Sequence, residues 1–399
     1  MTLLVHGARK LDADGIVDGF WILASEEGIL ATGSDDGWRS HAEPAGSAGS
    51  AGSPRSSGSA GPALEVVDAD GAWLTPGFID LHCHGGGGHS FDDGAESIRD
   101  ALAVHRAHGT TRSAISLVSA PLPALVDSLE DITALCAADP LILGAHLEGP
   151  FLDAGHRGAH DPDALRTPSP LDVAELLEAA DGRLAQITLA PELPGGLAAV
   201  EAFVGAGVVV AVGHTGADLD IAREAFDRGA TLVTHAFNAM PGIHHRHPGP
   251  LTAAFDDERV TLELIVDGLH VDPAVVQLAF RAAGERVALV TDAMAAAAAP
   301  DGFYRLGSRE VDVAGGRAVL AGTDMLAGST LTLDRALAIA VDRCGASPEA
   351  AVRALTLSPA LVLGRTDLGL LRPGFAADLV LLSPTWEVRT VVAAGRVVR

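Results

Sequence analysis

From about residue 73 to 368, apolar runs of strand length alternate with amphipathic or Ala/Leu-rich stretches of helix length. Eight such runs can be placed, at 78–84, 113–118, 141–148, 186–191, 208–214, 232–237, 262–267 and 287–292. Helical segments separate most of them, at 95–108, 122–137, 173–180, 217–228 and 273–283, and two more follow at 331–343 and 348–363. Strands separated by helices are parallel, because a crossover helix returns the chain to the same edge. Eight βα units in a segment of this length predict an α/β (β/α)8 barrel.

In that fold chemistry sits at the C-terminal ends of the strands, so the residues there are the informative ones. Run one ends in His82 and His84, run three in His146 and Glu148, run five in His214. Run six ends in His235 and Asn238, run seven in Asp267 and His270, run eight in Asp292. Charged and imidazole groups are rarely buried without partners, so their recurrence at six of eight strand ends points to one shared site. His82 and His84, spaced i, i+2, present both rings on one face of a strand. Histidines with carboxylates and no thiolate suit a borderline divalent ion, zinc first, with Fe, Mn or Co as alternatives. The competing account has each group capping a helix or satisfying the backbone locally. His146, two residues from Glu148, is expected to support the ligands rather than to be one.

Both termini read as strands, and together they predict a small β-sandwich domain from residues 1–74 and 369–399, the barrel occupying 75–368. Residues 43–62, composed almost wholly of Gly, Ser, Ala and Pro, carry no apolar side chains to bury and are expected to be a flexible insert. A formal net charge of −25 disfavours nucleic acid as a partner and requires locally placed cations for any anionic substrate. No apolar run reaches the length of a membrane span, and no basic, then apolar leader opens the chain. Three scattered cysteines, Cys83, Cys136 and Cys344, fit a reducing cytoplasm better than a disulfide framework.

The order HxH, acid, His, His, Asp along the strands resembles the amidohydrolase superfamily. The wording around each position is closer still to the family of deacetylases acting on N-acetylglucosamine 6-phosphate. It comprises His146-Leu-Glu-Gly-Pro150, Gly213-His-Thr215, Thr234-His-Ala-Phe-Asn-Ala-Met-Pro241, Asp267-Gly-Leu-His270, Thr291-Asp-Ala293 and Leu326-Ala-Gly-Ser329. The resemblance spans nearly the whole chain, the 43–62 insert excepted. It implies Glu148, His214 and His235 around one ion, and His82 and His84, with Glu148 shared, around a second. It implies Asp292 as the proton-transferring residue and His160, from Gly158-Ala-His-Asp-Pro162, as a polariser of the acetyl carbonyl. It also implies sugar and phosphate contacts from His270, Asn238, Ala239 and Arg246, the arginine reaching a neighbouring subunit of a homodimer. The only lysine, Lys10, lies far from any barrel strand, so a carbamylated lysine cannot bridge two metals, and Glu148 has to be the shared carboxylate. Another amidohydrolase of this ligand type, an N-acyl-amino-acid deacylase or adenine deaminase, is the nearer rival, and Arg246 and the Asn-Ala-Met-Pro context argue against it. A non-catalytic scaffold is the more distant one.

Overall fold

The computed structural model describes residues 2–42 and 64–399, and the 43–62 insert lies outside the described residues. Its centre is a barrel of eight parallel strands: β1 (Phe78–Asp80), β2 (Thr110–Leu117), β3 (Ile142–Glu148), β4 (Leu184–Leu189), β5 (Val209–Val212), β6 (Leu232–Val233), β7 (Thr261–Ile265) and β8 (Val287–Val290). Each strand pairs with the next in sequence order. All four residues of β8 are buried apolar ones. A parallel strand needs such a run, since helices cover one face and the barrel interior the other.

Strands β1 and β8 share no regular ladder. The barrel closes just beyond them, where Asp292 N donates to His82 O at 2.8 Å and His84 N donates to Ala293 O at 2.7 Å. The closing seam therefore runs through the expected ligand pair and the expected base.

Several strands are shorter than the sequence suggests. Runs one, five, six and eight were expected to extend to residues 84, 214, 237 and 292, but they end at Asp80, Val212, Val233 and Val290. For runs five, six and eight the cause is local: His214, His235, Phe237 and Asp292 have φ of 47°, 27°, 80° and 47°. A non-glycine residue in this region breaks the ladder and is held there only by its surroundings. At His214, His235 and Asp292 the turn comes where the side chain joins the cluster on the barrel axis.

Elements not anticipated include helices at Gly196–Gly205 and Gly249–Asp256, a short strand pair of Gly85–Gly86 and His89–Ser90, and a three-stranded antiparallel sheet of Gly302–Leu306, Arg309–Ala314 and Arg317–Leu320 inserted after β8. The expected helix 348–363 is two, Pro348–Leu355 and Leu357–Val362, broken at Thr356.

Strands from both termini join as expected, in one eight-stranded sheet. Trp73–Pro76 lies between Thr2–Asp12 and Leu379–Leu382 there, so the chain enters the barrel directly from this sheet. Lys10 belongs to it, with Nζ 2.9 Å from Asp12 Oδ1, well away from the barrel's chemistry. The sheet is tied to the barrel by Arg112 and Asp378, 2.7 Å apart and both buried.

Candidate active site

Glu148, the last residue of β3, is the hub of the site. Its Oε1 lies 3.0 Å from both His214 Nε2 and His235 Nε2 and 3.4 Å from His82 Nε2. Its Oε2 lies 3.3 Å from His84 Nε2 and 3.1 Å from His160 Nε2. Asp292 Oδ1 stands 3.5 Å from His82 Nε2 and 3.3 Å from His84 Nε2. The five expected metal ligands, the expected proton carrier Asp292 and the expected carbonyl polariser His160 are thus one cluster. All are buried, with His160 and Asp292 the most open at 8% exposure.

Hydrogen bonds on the far side of the His214 and His82 rings indicate which of their nitrogens carry protons, whereas the buried Nδ1 atoms of His84 and His235 have no partner. His214 Nδ1 faces the carbonyl oxygen of His156 at 2.9 Å, an acceptor only, so Nδ1 carries the hydrogen and Nε2 presents a lone pair. His82 Nδ1 faces Glu263 Oε2 at 3.3 Å with the same result. These lone pairs point at carboxylate oxygens, and His214 Nε2 and His235 Nε2 stand only 2.9 Å apart. Lone pairs of His214 and His82 aimed at carboxylate oxygens offer a cation a seat among them, and N/O donors of this type suit a divalent transition metal.

His160 differs. Its Nδ1 accepts from Ser119 N at 3.2 Å, so its Nε2 bears the hydrogen and donates toward Glu148. That makes His160 a donor beside the cluster rather than a ligand within it.

The electrostatics favour positive charge at the same point. Burial disfavours the charged form of His84, but hydrogen bonds to Asp292 and Glu148 outweigh it and raise the ring to about 10. Burial would raise Asp292, but His82 and His84 hold its carboxyl down to about 2. Glu148 is likewise held well below the usual range: burial opposes this, and His82, His160 and His214 prevail.

Behind the cluster stand groups that the sequence reading missed. Glu263, wholly buried in the middle of β7, accepts from His82 Nδ1, from Gln186 Nε2 at 2.9 Å and from the backbone N of His235 at 3.3 Å. Asp80, at the end of β1, accepts from Thr291 Oγ1 at 2.6 Å and from the backbone N of His82 at 3.2 Å, which fixes β1 to β8 under the seam. The available signal was a charged residue inside an apolar run of a parallel strand, where neither face meets water. A carboxylate behind a metal-binding imidazole sets its tautomer and direction. Glu263→Gln is therefore expected to weaken metal retention about 10–100-fold in chelator competition, and unchanged retention would remove Glu263 from this role.

His146 behaves as expected: Nδ1 is bonded to Ser116 Oγ and Nε2 to Thr188 Oγ1, each at 2.9 Å, and its ring stands edge-on to His82. Both nitrogens are occupied, so it buttresses His82 rather than ligating. Burial, then the neighbouring charge of Asp80, push the Cys83 thiol up to about 12, which fits a packing residue better than a reactive one.

A cavity of about 430 Å³ opens over the cluster, and Asn238, Ala239 and His270 line it as expected. Asp267 serves His270 instead of facing the metal-type cluster, its Oδ2 2.7 Å from His270 Nδ1. Burial lowers the basicity of His270, but this pairing with Asp267 raises it overall. Arg246 is not brought to the cavity by its own chain: it is exposed, within the loop of residues 242–248.

A parallel barrel with this histidine–carboxylate cluster at its strand ends defines a metal-dependent hydrolase class, and the model of the amidohydrolase family matches residues 73–398. The chain belongs to that family. Among its relatives, N-acetylgalactosamine-6-phosphate deacetylase of Escherichia coli O157:H7 is 38% identical, the match covering 84% of this chain and 89% of that one. N-acetylglucosamine-6-phosphate deacetylase of Danio rerio is 38% identical over 83% of this chain and 85% of its own. The solved structure of N-acetyl-D-glucosamine-6-phosphate deacetylase from Mycobacterium smegmatis superposes with a TM-score of 0.88 at 38% identity, covering 100% of each chain. The enzyme of that name from Pasteurella multocida superposes with a TM-score of 0.90 at 26% identity, over 100% of this chain and 99% of that one.

Proposed function

We propose that this protein hydrolyses the acetamide of N-acetyl-D-glucosamine 6-phosphate, releasing D-glucosamine 6-phosphate and acetate. The observation that carries the reading is the convergence of His82, His84, His214 and His235 on one carboxylate, Glu148, beside a second, Asp292, that no lysine or arginine among the described residues neutralises within 4 Å.

Glu148, His214 and His235 would hold one divalent ion, zinc first, with Fe, Mn or Co as alternatives; His82 and His84 would complete a second position with Glu148. A divalent ion bound there supplies an acidified water and a Lewis acid for the acetyl oxygen. Asp292 takes the proton from the attacking water and returns it to the departing amine, a role that needs an ionised carboxylate at the start. His160 Nε2–H donates to the acetyl oxygen as charge develops on it. Asn238, the backbone at Ala239 and His270 contact the sugar. Arg246, exposed on its loop, reaches the 6-phosphate of a neighbouring subunit in a homodimer, for which its outward position leaves it free. A cytoplasmic setting suits three unpaired cysteines, two of them buried.

The 4-epimer, N-acetylgalactosamine 6-phosphate, is the second reading, favoured by the identity to the E. coli relative. A kinetic panel separates them. Deacetylation of the glucosamine compound is expected to exceed that of its epimer in kcat/KM and to exceed unphosphorylated N-acetylglucosamine by at least about 100-fold. Preference for the epimer would replace the substrate, and preference for acylated amino acids or a purine would overturn the reading.

A further inference from the structure

Among the residues lining the cavity over the cluster, Arg309 is the one arginine or lysine. It is half-buried, and among the described residues its guanidinium has no carboxylate within ion-pair distance and no side-chain hydrogen bond; Asp161, held below the usual carboxylate range first by the Ser308 hydroxyl, feels its charge from beyond that distance. Other partly covered arginines are engaged: Arg112 holds Asp378 at 2.7 Å, Arg365 holds Asp367 at 2.7 Å, and Arg286 donates to three backbone carbonyls. A fork of five donors left free, in a chain of net charge −25, is a placed cation awaiting an anion.

The placement is built into the inserted sheet. Arg309 opens its second strand, opposite Leu306 across the Gly307–Ser308 turn. The sheet has its own apolar core, in which Leu306, Val311 and Val313 pack with Val118 at the end of β2 and Met294 just past β8. Ser308 Oγ donates to Asp161 Oδ2 at 2.6 Å, pinning the turn to the loop that carries His160. One hydrogen bond therefore links the position of Arg309 to that of the carbonyl donor. Arg309 is also more open than Glu148 and Asp292 on the cavity floor. In a hexosamine 6-phosphate the phosphate and the acetamide project from opposite sides of the ring. With the acetamide on the floor, the phosphate is directed to the rim.

We infer that Arg309 is a phosphate contact supplied by the chain's own inserted sheet, reading the 6-phosphate from the opposite flank to the Arg246 of a neighbouring subunit. The inference rests on the phosphorylated-sugar reading above, and the test keeps the two apart. A guanidinium binds a phosphate dianion through two parallel hydrogen bonds, and its loss is felt in affinity rather than in chemistry.

The experiment compares wild type, Arg309→Met, Arg309→Lys and Arg305→Met, the last removing the same charge from an exposed site on the same sheet. KM for N-acetylglucosamine 6-phosphate is expected to rise about tenfold or more in Arg309→Met with kcat nearly unchanged, less in Arg309→Lys, and not in Arg305→Met. Turnover of unphosphorylated N-acetylglucosamine should be the same in all four. Equal losses on both sugars, or equal effects of Arg309→Met and Arg305→Met, would overturn the assignment. Binding of D-glucosamine 6-phosphate and of glucosamine is measured by calorimetry in parallel. If wild type deacetylates neither sugar, the proposed function falls; the Arg309 assignment then stands if Arg309→Met weakens only the phosphorylated ligand, and falls if both proteins bind it equally.

Discussion

Asp292→Asn is expected to lower kcat by about 10²–10⁴-fold while leaving metal content and fold intact. The substitution preserves shape, and the backbone bonds that hold the residue at the barrel seam, Asp292 N to His82 O and Ser329 N to Asp292 O, do not involve the side chain. What disappears is the basic oxygen. An amide cannot accept the proton of the attacking water, nor deliver one to the amine, so both halves of the reaction suffer together. KM should change far less than kcat, because the loss falls on the transition state. Near-normal kcat in Asp292→Asn would show that another group moves the proton.

Glu148→Gln should be the more damaging change, removing metal and turnover together. Glu148 contacts five imidazole nitrogens through its two oxygens, and no other carboxylate among the described residues touches ring nitrogens of both the His82/His84 pair and the His214/His235 pair. A neutral amide offers one acceptor oxygen and points donor hydrogens at lone pairs. Loss of metal affinity is expected to exceed the about 10–100-fold typical of residues behind the ligands. A variant that kept its metal and lost only activity would demote Glu148 from hub to bystander.

The contrast between these residues and Glu263 explains how far the sequence carried. Ligands at strand ends were legible because the alternation of strand and helix located the ends, and His or Asp at an end has few uses besides a site. Glu263 and Asp80 were not, because each sits within a short apolar run where a single acid resembles the solvent-facing member of an alternating strand. Only the closed barrel shows that β7 has no solvent face. The lengths of β5 and β6 were overread for a related reason: His214 and His235 satisfy the hydrophobic rhythm of a strand while their backbone has already turned to positive φ. The inserted sheet escaped notice because its Gly307–Ser308 and Gly315–Gly316 turns follow an alanine-rich stretch and read as one loop. Arg309 was hidden with it, whereas Arg246, conspicuous among histidines, drew attention to a loop that lies outside its own chain's cavity.

A divalent ion between Glu148 and the four imidazoles is the centre of the proposed chemistry. The most direct measurement strips the purified protein with a chelator, verifies the residual metal by elemental analysis, and follows release of acetate from N-acetylglucosamine 6-phosphate as zinc is added back. Activity should vanish with the metal and return in proportion to the ion bound. Full turnover by a verified metal-free sample would contradict the account.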